Sequence, residues 1–395
     1  MEAYLDNAAT TKVSSSVKDI MVEALEINYG NPSSMHRKGI EAENYIKEAK
    51  DIIAKTIKVD PKEIIFTSGG TESNNFALIG AALANARAGK HIITTRFEHP
   101  SVHNPLLALE DMGFRISFIP VDHNGLIDME YLLNEICDET IIVSIMYVNN
   151  EVGAIQDIAS IAKQIKNKKS DIIFHVDAIQ GFGKFKIYPK RENIDMMSVS
   201  GHKIHGPKGS GFLYIKDKLK IKPIIHGGGQ QKGYRSGTEN VPAIAGLAQA
   251  VKEIYENHDE KVAKLYELKQ HFIEEVSSIE DTTVNAIFAD QSDLSLEERI
   301  RKTAPHVVSV SFAGIRSEVL LHALEDKGVY VSAGSACASN HPSLSGSLQA
   351  IGLEGTLLES TLRFSFSINT TMEEIDYAIT VLKDVVPKLR RYTRK

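Results

Sequence analysis

The 395-residue sequence contains no tryptophan, only two cysteines and no long apolar run. Cys137 and Cys337 cannot form a disulfide framework or a multi-cysteine zinc site, and the 14 histidines show no HExxH pattern, so we expect no metal site. The longest apolar stretches, such as residues 140–148, are far too short to span a membrane. Positive charge is not in excess either, because 45 Lys and Arg stand against 51 Asp and Glu, and this argues against a nucleic-acid partner.

What is present is the composition of an ordinary globular protein, with 43% apolar and 24% charged residues. A chain of 395 residues exceeds what one hydrophobic core usually organises, so we expect two unequal domains and a small-molecule substrate. The acidic start at Glu2 has neither the basic nor the apolar region of a signal peptide, so we expect a cytoplasmic protein.

The two cysteines lie in different kinds of sequence. Cys137 follows Leu132, Leu133 and Ile136 at near-helical spacing, which predicts burial as a small hydrophobic residue. Cys337 lies instead among small residues at 332–339, which give little to pack against. Taken alone, that segment also fits a buried cysteine in a turn.

From about residue 63 to 215 short β-rich runs alternate with helical stretches, which is typical of a mostly parallel sheet with helices on both faces. The predicted strands are residues 63–67, 91–95, 115–119, 140–148, 171–176, 195–199 and 211–215. Several are apolar almost throughout, as strands covered on both sides must be. Ligands of such sheets bind beyond the carboxyl ends of the strands, so polar residues after each strand are the candidates for a site.

The C-terminal part is organised differently. After the Gly-rich segment 225–237, residues 241–278 are predicted to form a helix that connects two domains. The remaining predictions are strands at 307–312 and 329–332 and helices at 318–327 and 373–390. We interpret this part as a smaller α+β domain.

Residues 68–72, Ser-Gly-Gly-Thr-Glu, join a predicted strand to a predicted helix. Glycines, hydroxyls and amide donors at a helix N-terminus bind phosphate. The same residues also make a good helix cap and turn, so this feature alone leaves both interpretations open.

Two further strands end on side chains of opposite charge. Asp177 ends one of them, and Lys203 follows the next, close to Ser200 and His202. Pyridoxal phosphate needs a lysine for a Schiff base, a carboxylate for its pyridine nitrogen and donors for its phosphate. A structural Asp–Lys ion pair would leave the same pattern. His99 follows another strand and could stack its ring on such a cofactor, although a histidine before proline is also a common turn residue.

Nine short motifs follow one another along nearly the whole chain. They lie at residues 4–11 (YLDNAATT), 31–34 (NPSS), 66–73 (FTSGGTES), 148–153 (VNNEVG), 175–178 (HVDA), 200–203 (SGHK), 206–209 (GPKG), 235–238 (RSGT) and 334–337 (GSAC). With them the sequence resembles the cysteine desulfurases of the NifS/IscS type, within the class V aminotransferase fold. The resemblance implies the α/β type I fold of pyridoxal-phosphate-dependent transferases. Its large domain, with the mostly parallel sheet, would be residues 16–259, and its smaller α+β domain, with the Cys337 loop, would be residues 1–15 and 260–395.

The resemblance also implies a role for each matching residue around pyridoxal 5'-phosphate. Lys203 would form the Schiff base, Asp177 would pair with the pyridine nitrogen, and His99 would stack on the ring. The other implied contacts are Gln180 on the phenolic oxygen, Gly70, Thr71, Ser200 and His202 on the phosphate, Thr238 reaching the neighbouring phosphate in a homodimer, and Asn150 and Arg363 on the substrate carboxylate. Arginine suits a carboxylate because its planar fork binds both oxygens.

Cys337 would take sulfur from L-cysteine as a persulfide and leave L-alanine. The resemblance implies acceptors such as an iron-sulfur scaffold protein or the sulfur carriers for thiolated tRNA and thiamin. Three alternatives stay open: a selenocysteine lyase, another class V aminotransferase, and a catalytically silent assembly subunit. An aminotransferase, however, has no need of a loop thiol.

Two segments depart from the family pattern. The charged residues 290–305 are expected to be an exposed insertion without a catalytic role, and residues 340–347 leave the acceptor undetermined.

Overall fold

A computed structural model describes residues 1–333 and 345–393 of the chain. Its strands are β1 (Ala3–Tyr4), β2 (Ile64–Thr67), β3 (His91–Thr95), β4 (Arg115–Ile119), β5 (Thr140–Met146), β6 (Ile173–Asp177), β7 (Met196–Ser200), β8 (Gly211–Ile215), β9 (Thr282–Val284), β10 (Val307–Phe312), β11 (Val329–Tyr330), β12 (Ser332–Ala333) and β13 (Thr361–Ser365). Its helices are α1 (Ser15–Glu26), α2 (Arg37–Ile57), α3 (Gly70–Asn85), α4 (Pro100–Asp111), α5 (Met129–Glu135), α6 (Ile158–Lys168), α7 (Val241–Tyr255), α8 (His258–Val276), α9 (Leu296–Arg301), α10 (Ser317–Glu325), α11 (Gly346–Ala350), α12 (Gly355–Glu359) and α13 (Met372–Thr393). Within these residues, none of the helices combines the length and the apolar character needed to cross a membrane.

The largest sheet has seven strands in the order β2-β8-β7-β6-β5-β3-β4. The five strands from β7 to β4 run parallel, whereas β8 is antiparallel to both β2 and β7. The mostly parallel sheet predicted from the sequence is therefore confirmed. The reversed direction of β8 was not predicted, because a short apolar run has the same pattern in either direction.

Helices cover both faces of this sheet, and successive strand residues point to opposite faces. In β8, Phe212 and Tyr214 pack into the core under α1, α2, α6 and α7. Leu213 and Ile215 pack into the core under α3 and α4. Because both faces are covered, strands such as β5 are buried at every residue and apolar almost throughout.

The predicted connector helix 241–278 is wrong as a single helix, because α7 and α8 are separate. Between them Glu256 has an extended backbone and Asn257 has a left-handed φ of 47°. Asparagine adopts this conformation more readily than most residues. The apolar spacing continues on both sides of the break, so it did not mark where the first helix ends.

The C-terminal residues form a four-stranded antiparallel sheet in the order β12-β13-β10-β9, and β1 pairs with β11 in a separate parallel pair. The single strand predicted at 329–332 is therefore two short strands in different sheets. Helices α8, α10 and α13 cover these strands around a second core, in which the rings of Phe272 and Phe364 lie 4.7 Å apart.

The segment after β1 connects the two sheets beside the predicted site. Asn7 donates a side-chain hydrogen bond to the Ser365 carbonyl at 3.0 Å. The amide of Thr11 donates to the carbonyl of His202 at 2.9 Å. Residues 6–11 are thus held against β13 at one end and against the turn after β7 at the other.

The predicted burial of Cys137 is wrong, because this residue is exposed. Helix α5 ends at Glu135, and the extended backbone of Ile136 takes Cys137 out of the helical register on which the prediction depended. Burial acts to raise the pKa of its thiol, but hydrogen bonds from Thr140 and the charge of Arg115 outweigh it and lower that pKa.

The charged segment 290–305 is only in part the exposed excursion that the sequence predicts. Residues 290–302 are mostly exposed and include α9, which begins with a capping box between Ser295 and Glu298. Residues 303–305 are buried, and the Thr303 hydroxyl accepts a hydrogen bond from the buried Lys269 at 2.6 Å. The end of the segment is therefore part of the packed core.

Candidate active site

A cavity of about 350 Å³ opens at the carboxyl ends of β5, β6 and β7. Ten of the twelve predicted site residues line it: Gly70, Thr71, His99, Asn150, Asp177, Gln180, Ser200, His202, Lys203 and Arg363. Of the other two, Thr238 lines a separate cavity and Cys337 lies outside the described residues. A larger cleft of about 450 Å³, between the ends of α8 and α13, contains none of the predicted residues.

Lys203 enters the cavity from the tight turn Gly201–Lys203 that follows β7. Its Nζ lies 2.6 Å from the carbonyl oxygen of Ala8 and 2.7 Å from that of Ala9. Its own carbonyl accepts a hydrogen bond from the Nζ of Lys184 at 2.8 Å. Both the backbone and the amine of Lys203 are therefore held in place.

Asp177 is the last residue of β6 and is buried. Its Oδ2 accepts a hydrogen bond from Asn74 Nδ2 at 2.8 Å, and its Oδ1 accepts one from the amide of Ile179 at 3.0 Å. Burial raises the pKa of Asp177, although these hydrogen bonds and nearby positive charge act against it. A ligand group that brings an N–H with positive charge would favour the ionised carboxylate here.

His99 follows β3 and caps the N-terminus of α4. Its Nδ1 accepts a hydrogen bond from the amide of Ser101 at 3.1 Å and lies 2.8 Å from the Ser101 hydroxyl. Burial lowers the pKa of His99. Asp177 acts to raise this pKa and Lys203 acts to lower it, and both effects are smaller than that of burial. The neutral ring therefore carries its proton on Nε2.

Two residues that the sequence did not indicate connect His99 with Asp177. Asn74 Nδ2 donates to the Ser101 hydroxyl at 2.9 Å as well as to Asp177. The available signal was the position of Asn74, one helical turn after Gly70 on the buried face of α3. A polar residue at a core position requires partners, and here those partners belong to the site.

The start of α3 forms the end of the cavity that is suited to an anion, called here the anion-binding end. Strand β2 leads almost directly into this helix, and Gly70 and Thr71 of its first turn line the cavity. The N-cap Gly69 has a φ of 146°, which only glycine adopts without strain. Unpaired amides and the positive end of the helix dipole favour a phosphate at this position.

Ser200 and His202 line both this cavity and an adjoining one of about 380 Å³. The Nδ1 of His202 lies 3.3 Å from the Thr10 hydroxyl. Burial, together with the charges of Lys203 and Lys208, lowers the pKa of His202 to about 4. His202 is therefore neutral near neutral pH and can donate one ring N–H to an anion.

Arg363, on β13, brings a guanidinium to the same cavity. Its Nη2 donates to Asp6 Oδ1 at 2.8 Å, and its Nη1 donates to the Asn150 carbonyl at 3.0 Å. Its Nε is buried and has no hydrogen-bond partner among the residues described. Each Nη atom also carries a second N–H, and a carboxylate is the acceptor that a pair of guanidinium donors fits best.

Gln180 is buried three residues after Asp177. Its Nε2 donates to the Ala8 carbonyl at 2.9 Å, and its Oε1 lies 3.1 Å from the Nε2 of His306. His306 was not predicted from the sequence. It immediately precedes β10, far along the chain from the motifs, and no local pattern marks it.

Thr238 is exposed and lines a separate cavity of about 170 Å³. Ser68, from the loop before α3, and Arg235 line the same cavity. Thr238 thus lies close to the anion-binding end of the main cavity, but outside it.

Comparison with known proteins agrees with this geometry. The model of the family described as aminotransferase class-V matches residues 3–378. The chain is 41% identical to a cysteine desulfurase IscS of Dictyoglomus turgidum, over 98% of this chain and 95% of that protein. It is also 41% identical to a putative cysteine desulfurase IscS 1 of Bacillus subtilis, over 98% and 99% of the two chains. Among solved structures, a NifS-like protein shares 34% identity with a TM-score of 0.90, over 98% of this chain and all 100% of that one. SspA in complex with cysteine shares 32% identity with a TM-score of 0.77, over 93% and 100%.

The chain therefore belongs to the class V aminotransferases, a family that depends on pyridoxal phosphate. Within this family it is a member of the cysteine desulfurases of the NifS/IscS type. The resemblance predicted from the nine motifs is thereby confirmed.

Proposed function

We propose that this chain converts L-cysteine to L-alanine with pyridoxal 5'-phosphate and transfers the sulfur to Cys337 as a persulfide. The observation that carries the proposal is a single cavity in which an amine, a buried carboxylate, a helix N-terminus and a guanidinium meet. Lys203, Asp177 and Arg363 supply the three charged groups. The full-length relatives at 41% identity support the same reaction.

The residues fit pyridoxal phosphate by their chemistry. Lys203 offers the amine for a Schiff base, and the start of α3, with Ser200 and His202, offers donors for a phosphate. Asp177 has a pKa raised by burial, and a pyridine N–H would stabilise its ionised form. When bound, the cofactor supplies an electron sink for the bond changes at the substrate.

His99 would stack against the cofactor ring. Its Nδ1 is occupied by Ser101, so the ring cannot turn without losing two contacts. Asn74 donates to both Ser101 and Asp177. It would therefore keep the His99 ring and the Asp177 carboxylate in a constant relative position. A neutral, fixed imidazole gives a flat surface without adding a charge beside the electron sink.

The substrate carboxylate would bind to Arg363. Asp6 and the Asn150 carbonyl each accept a hydrogen bond from one Nη atom, which leaves the second N–H of each Nη for a carboxylate. The Asn150 side chain would complete this contact, since Asn150 also lines the cavity.

Once L-cysteine displaces it, Lys203 would move protons at the substrate carbon, because its Nζ is already positioned by the Ala8 and Ala9 carbonyls. The thiolate of Cys337 attacks the substrate sulfur and forms an S–S bond. The C–S bond breaks, its electron pair remains with carbon, and that carbon takes a proton to become the methyl group of alanine. The sulfur keeps its own proton, so the product on the enzyme is a persulfide.

We further propose a homodimer in which Thr238 completes the phosphate site of the neighbouring subunit. Its exposed position beside Ser68, outside the cavity of its own chain, supports this arrangement. A strip of exposed apolar side chains offers a surface for the second copy. The strip lies on α1, the start of α2 and the turn between them: Val22, Leu25, Ile27, Tyr29, Met35 and Ile40.

The separate hydrophobic cores support the division into residues 16–259 and residues 1–15 with 260–395. Leu5 packs with α8 and α13, whereas Val17 packs with the large sheet. We propose that this two-domain enzyme acts in the cytoplasm and passes its sulfur to acceptor proteins such as an iron-sulfur scaffold.

The test is the visible absorbance of the full chain, reconstituted with pyridoxal phosphate, before and after addition of L-cysteine. We expect a band that changes on addition, with alanine and sulfide formed in equal amounts under reducing conditions. Lys203→Ala should remove the band. A wild-type protein that stays colourless after reconstitution contradicts the proposal and favours a silent assembly subunit.

The two cysteines provide a matched pair of variants. Cys337→Ser should abolish alanine formation, because the thiolate that accepts sulfur is gone. Cys137→Ser should turn over like the wild type, because Cys137 is exposed, contacts Arg115 and does not line the cavity. Turnover of L-selenocysteine but not L-cysteine would favour a selenocysteine lyase, and a 2-oxo acid product without sulfide would favour an aminotransferase.

A further inference from the structure

We infer that His306 is a positioning residue that fixes the side-chain amide of Gln180, so that Gln180 presents an N–H to the cofactor's phenolic oxygen. The inference rests on the proposed function, because it concerns the same cavity. His306 does not line the cavity, so it would act on the cofactor only through its contact with Gln180.

The orientation of the Gln180 amide follows from its two neighbours. A backbone carbonyl can only accept, so the Gln180 atom 2.9 Å from the Ala8 oxygen is the Nε2 donor. The other end of the amide, Oε1, must then face His306 at 3.1 Å. Reversing the amide would bring two acceptors together at Ala8. It would also move the His306 proton to Nδ1, a buried position with no acceptor among the residues described.

The protonation state of His306 follows from the same contact. It is fully buried, and its Nε2 must carry the proton that Gln180 Oε1 accepts. Its Nδ1 has no hydrogen-bond partner in the part of the chain that the structure describes. The ring therefore has a single tautomer, set by Gln180 and ultimately by the Ala8 carbonyl.

The surroundings keep His306 neutral. Burial lowers its pKa well below the ordinary value, and nearby positive charge lowers it further. The charged groups that act on the ring are Lys184, Lys269, Arg363 and Lys203. Burial and any positive charge on these four groups both disfavour a second proton on His306, so the donor to Gln180 stays the same across the working pH range.

The consequence for the cavity is a fixed donor. One hydrogen of Gln180 Nε2 goes to Ala8, and the second remains for a group in the cavity that Gln180 lines. Without His306, only the Ala8 carbonyl opposes rotation of the amide, and the carbonyl oxygen of the amide could more readily face the phenolic oxygen instead. Two oxygens would then repel each other where a hydrogen bond had stabilised negative charge.

The test compares two variants of similar size. His306→Met removes the donor, whereas His306→Gln places an amide N–H at nearly the same reach. Each full-length variant is reconstituted with pyridoxal phosphate, and its visible absorbance is titrated with pH, without substrate. For His306→Met we expect the midpoint to rise by about one pH unit, because an anionic oxygen that loses a donor holds a shared proton more tightly. His306→Gln should titrate like the wild type.

A second measurement uses Gln180 itself. In a Gln180→Leu background the contact is already lost, so His306→Met should add no further shift to the titration midpoint. Should His306→Met fold poorly, His306→Asn tests the same point, since its shorter amide stops short of Gln180. An unchanged midpoint in His306→Met, or an equal shift in His306→Gln, would overturn the inference.

The failure of this inference and the failure of the proposed function give different results. A wild-type protein with no visible band after reconstitution refutes the proposed function, and His306 is then irrelevant. A wild-type protein with a normal band, beside a His306→Met protein that titrates identically, refutes only the role of His306.

Discussion

Arg235 forms two hydrogen bonds with the carboxylate of Glu72, from Nε to Oε1 at 2.8 Å and from Nη2 to Oε2 at 3.1 Å. The same carboxylate accepts the amide of Ser68 at 2.9 Å. Glu72 belongs to the first turn of α3, beside Thr71 of the anion-binding end, and Arg235 lies three residues before Thr238. This ion pair therefore joins the proposed phosphate site to the loop that we propose reaches the neighbouring subunit.

Arg235→Lys should weaken the binding of pyridoxal phosphate by about tenfold, because a lysine cannot reproduce the two-point contact and hydrogen bonds to charged groups contribute about 1.5–3 kcal/mol. Fluorescence titration of the cofactor-free protein measures the affinity. Arg115→Lys is the matched control, since this arginine contacts the exposed Cys137 instead. Wild-type affinity in Arg235→Lys would show that the contact does not support the phosphate site.

The same pair predicts a pH dependence of stability. Burial acts to raise the pKa of Glu72, but hydrogen bonds from Arg235 and Ser68 outweigh it and lower the pKa below the ordinary 4.5. The stabilisation is therefore complete above pH 4.5 and is lost as the pH falls through the lower, folded value. Glu72→Gln should reduce the loss of unfolding free energy in this acid range. Urea unfolding at several pH values measures it, with Glu110→Gln on the exposed face of α4 as control.

Ser101→Ala should slow turnover by about fivefold, because one hydrogen bond that holds His99 contributes about 1 kcal/mol. The hydroxyl donates to the neutral ring, so its loss should also raise the pKa of His99. The imidazole titration, followed by NMR, separates this effect from general destabilisation. Ser101→Thr retains the hydroxyl and should restore both properties, and an equal loss in Ser101→Thr would assign the effect to packing.

Lys269 is buried with its Nζ hydrogen-bonded to Thr303, Ala304 and Val307 at 2.6 to 2.8 Å. Burial lowers its pKa from 10.5 to about 7, so between these values the unfolded chain binds more protons than the folded one. This residue therefore makes the unfolding free energy rise with pH over that interval. Lys269→Met should reduce the rise in denaturant unfolding measured from neutral to alkaline pH, and the remainder is expected from Lys184, whose pKa burial also lowers to about 7. Lys264→Met, on the exposed side of α8, should keep the full rise, and an undiminished rise in Lys269→Met would contradict the assignment.

Much of the candidate site was predictable because its residues follow strands or belong to compact motifs. Asp177 ends β6 and Lys203 follows β7, so the apolar pattern that defines the strands also locates these residues. His306 carries no such signal, since it lies 126 residues from its partner Gln180. Asn74 was visible only as a polar residue on a buried helix face, which does not reveal what it contacts.

The sequence by itself determined the family, the mostly parallel sheet and ten of the residues that line the cavity. These features depend on local order along the chain, namely apolar spacing and motifs whose residues are neighbours. Only the tertiary structure decided that Cys137 is exposed, that α7 and α8 are separate, and that the backbone carbonyls of Ala8 and Ala9 hold Lys203. The physical reason is that every residue carries the same carbonyl group, so which carbonyl meets which side chain depends on how distant segments pack.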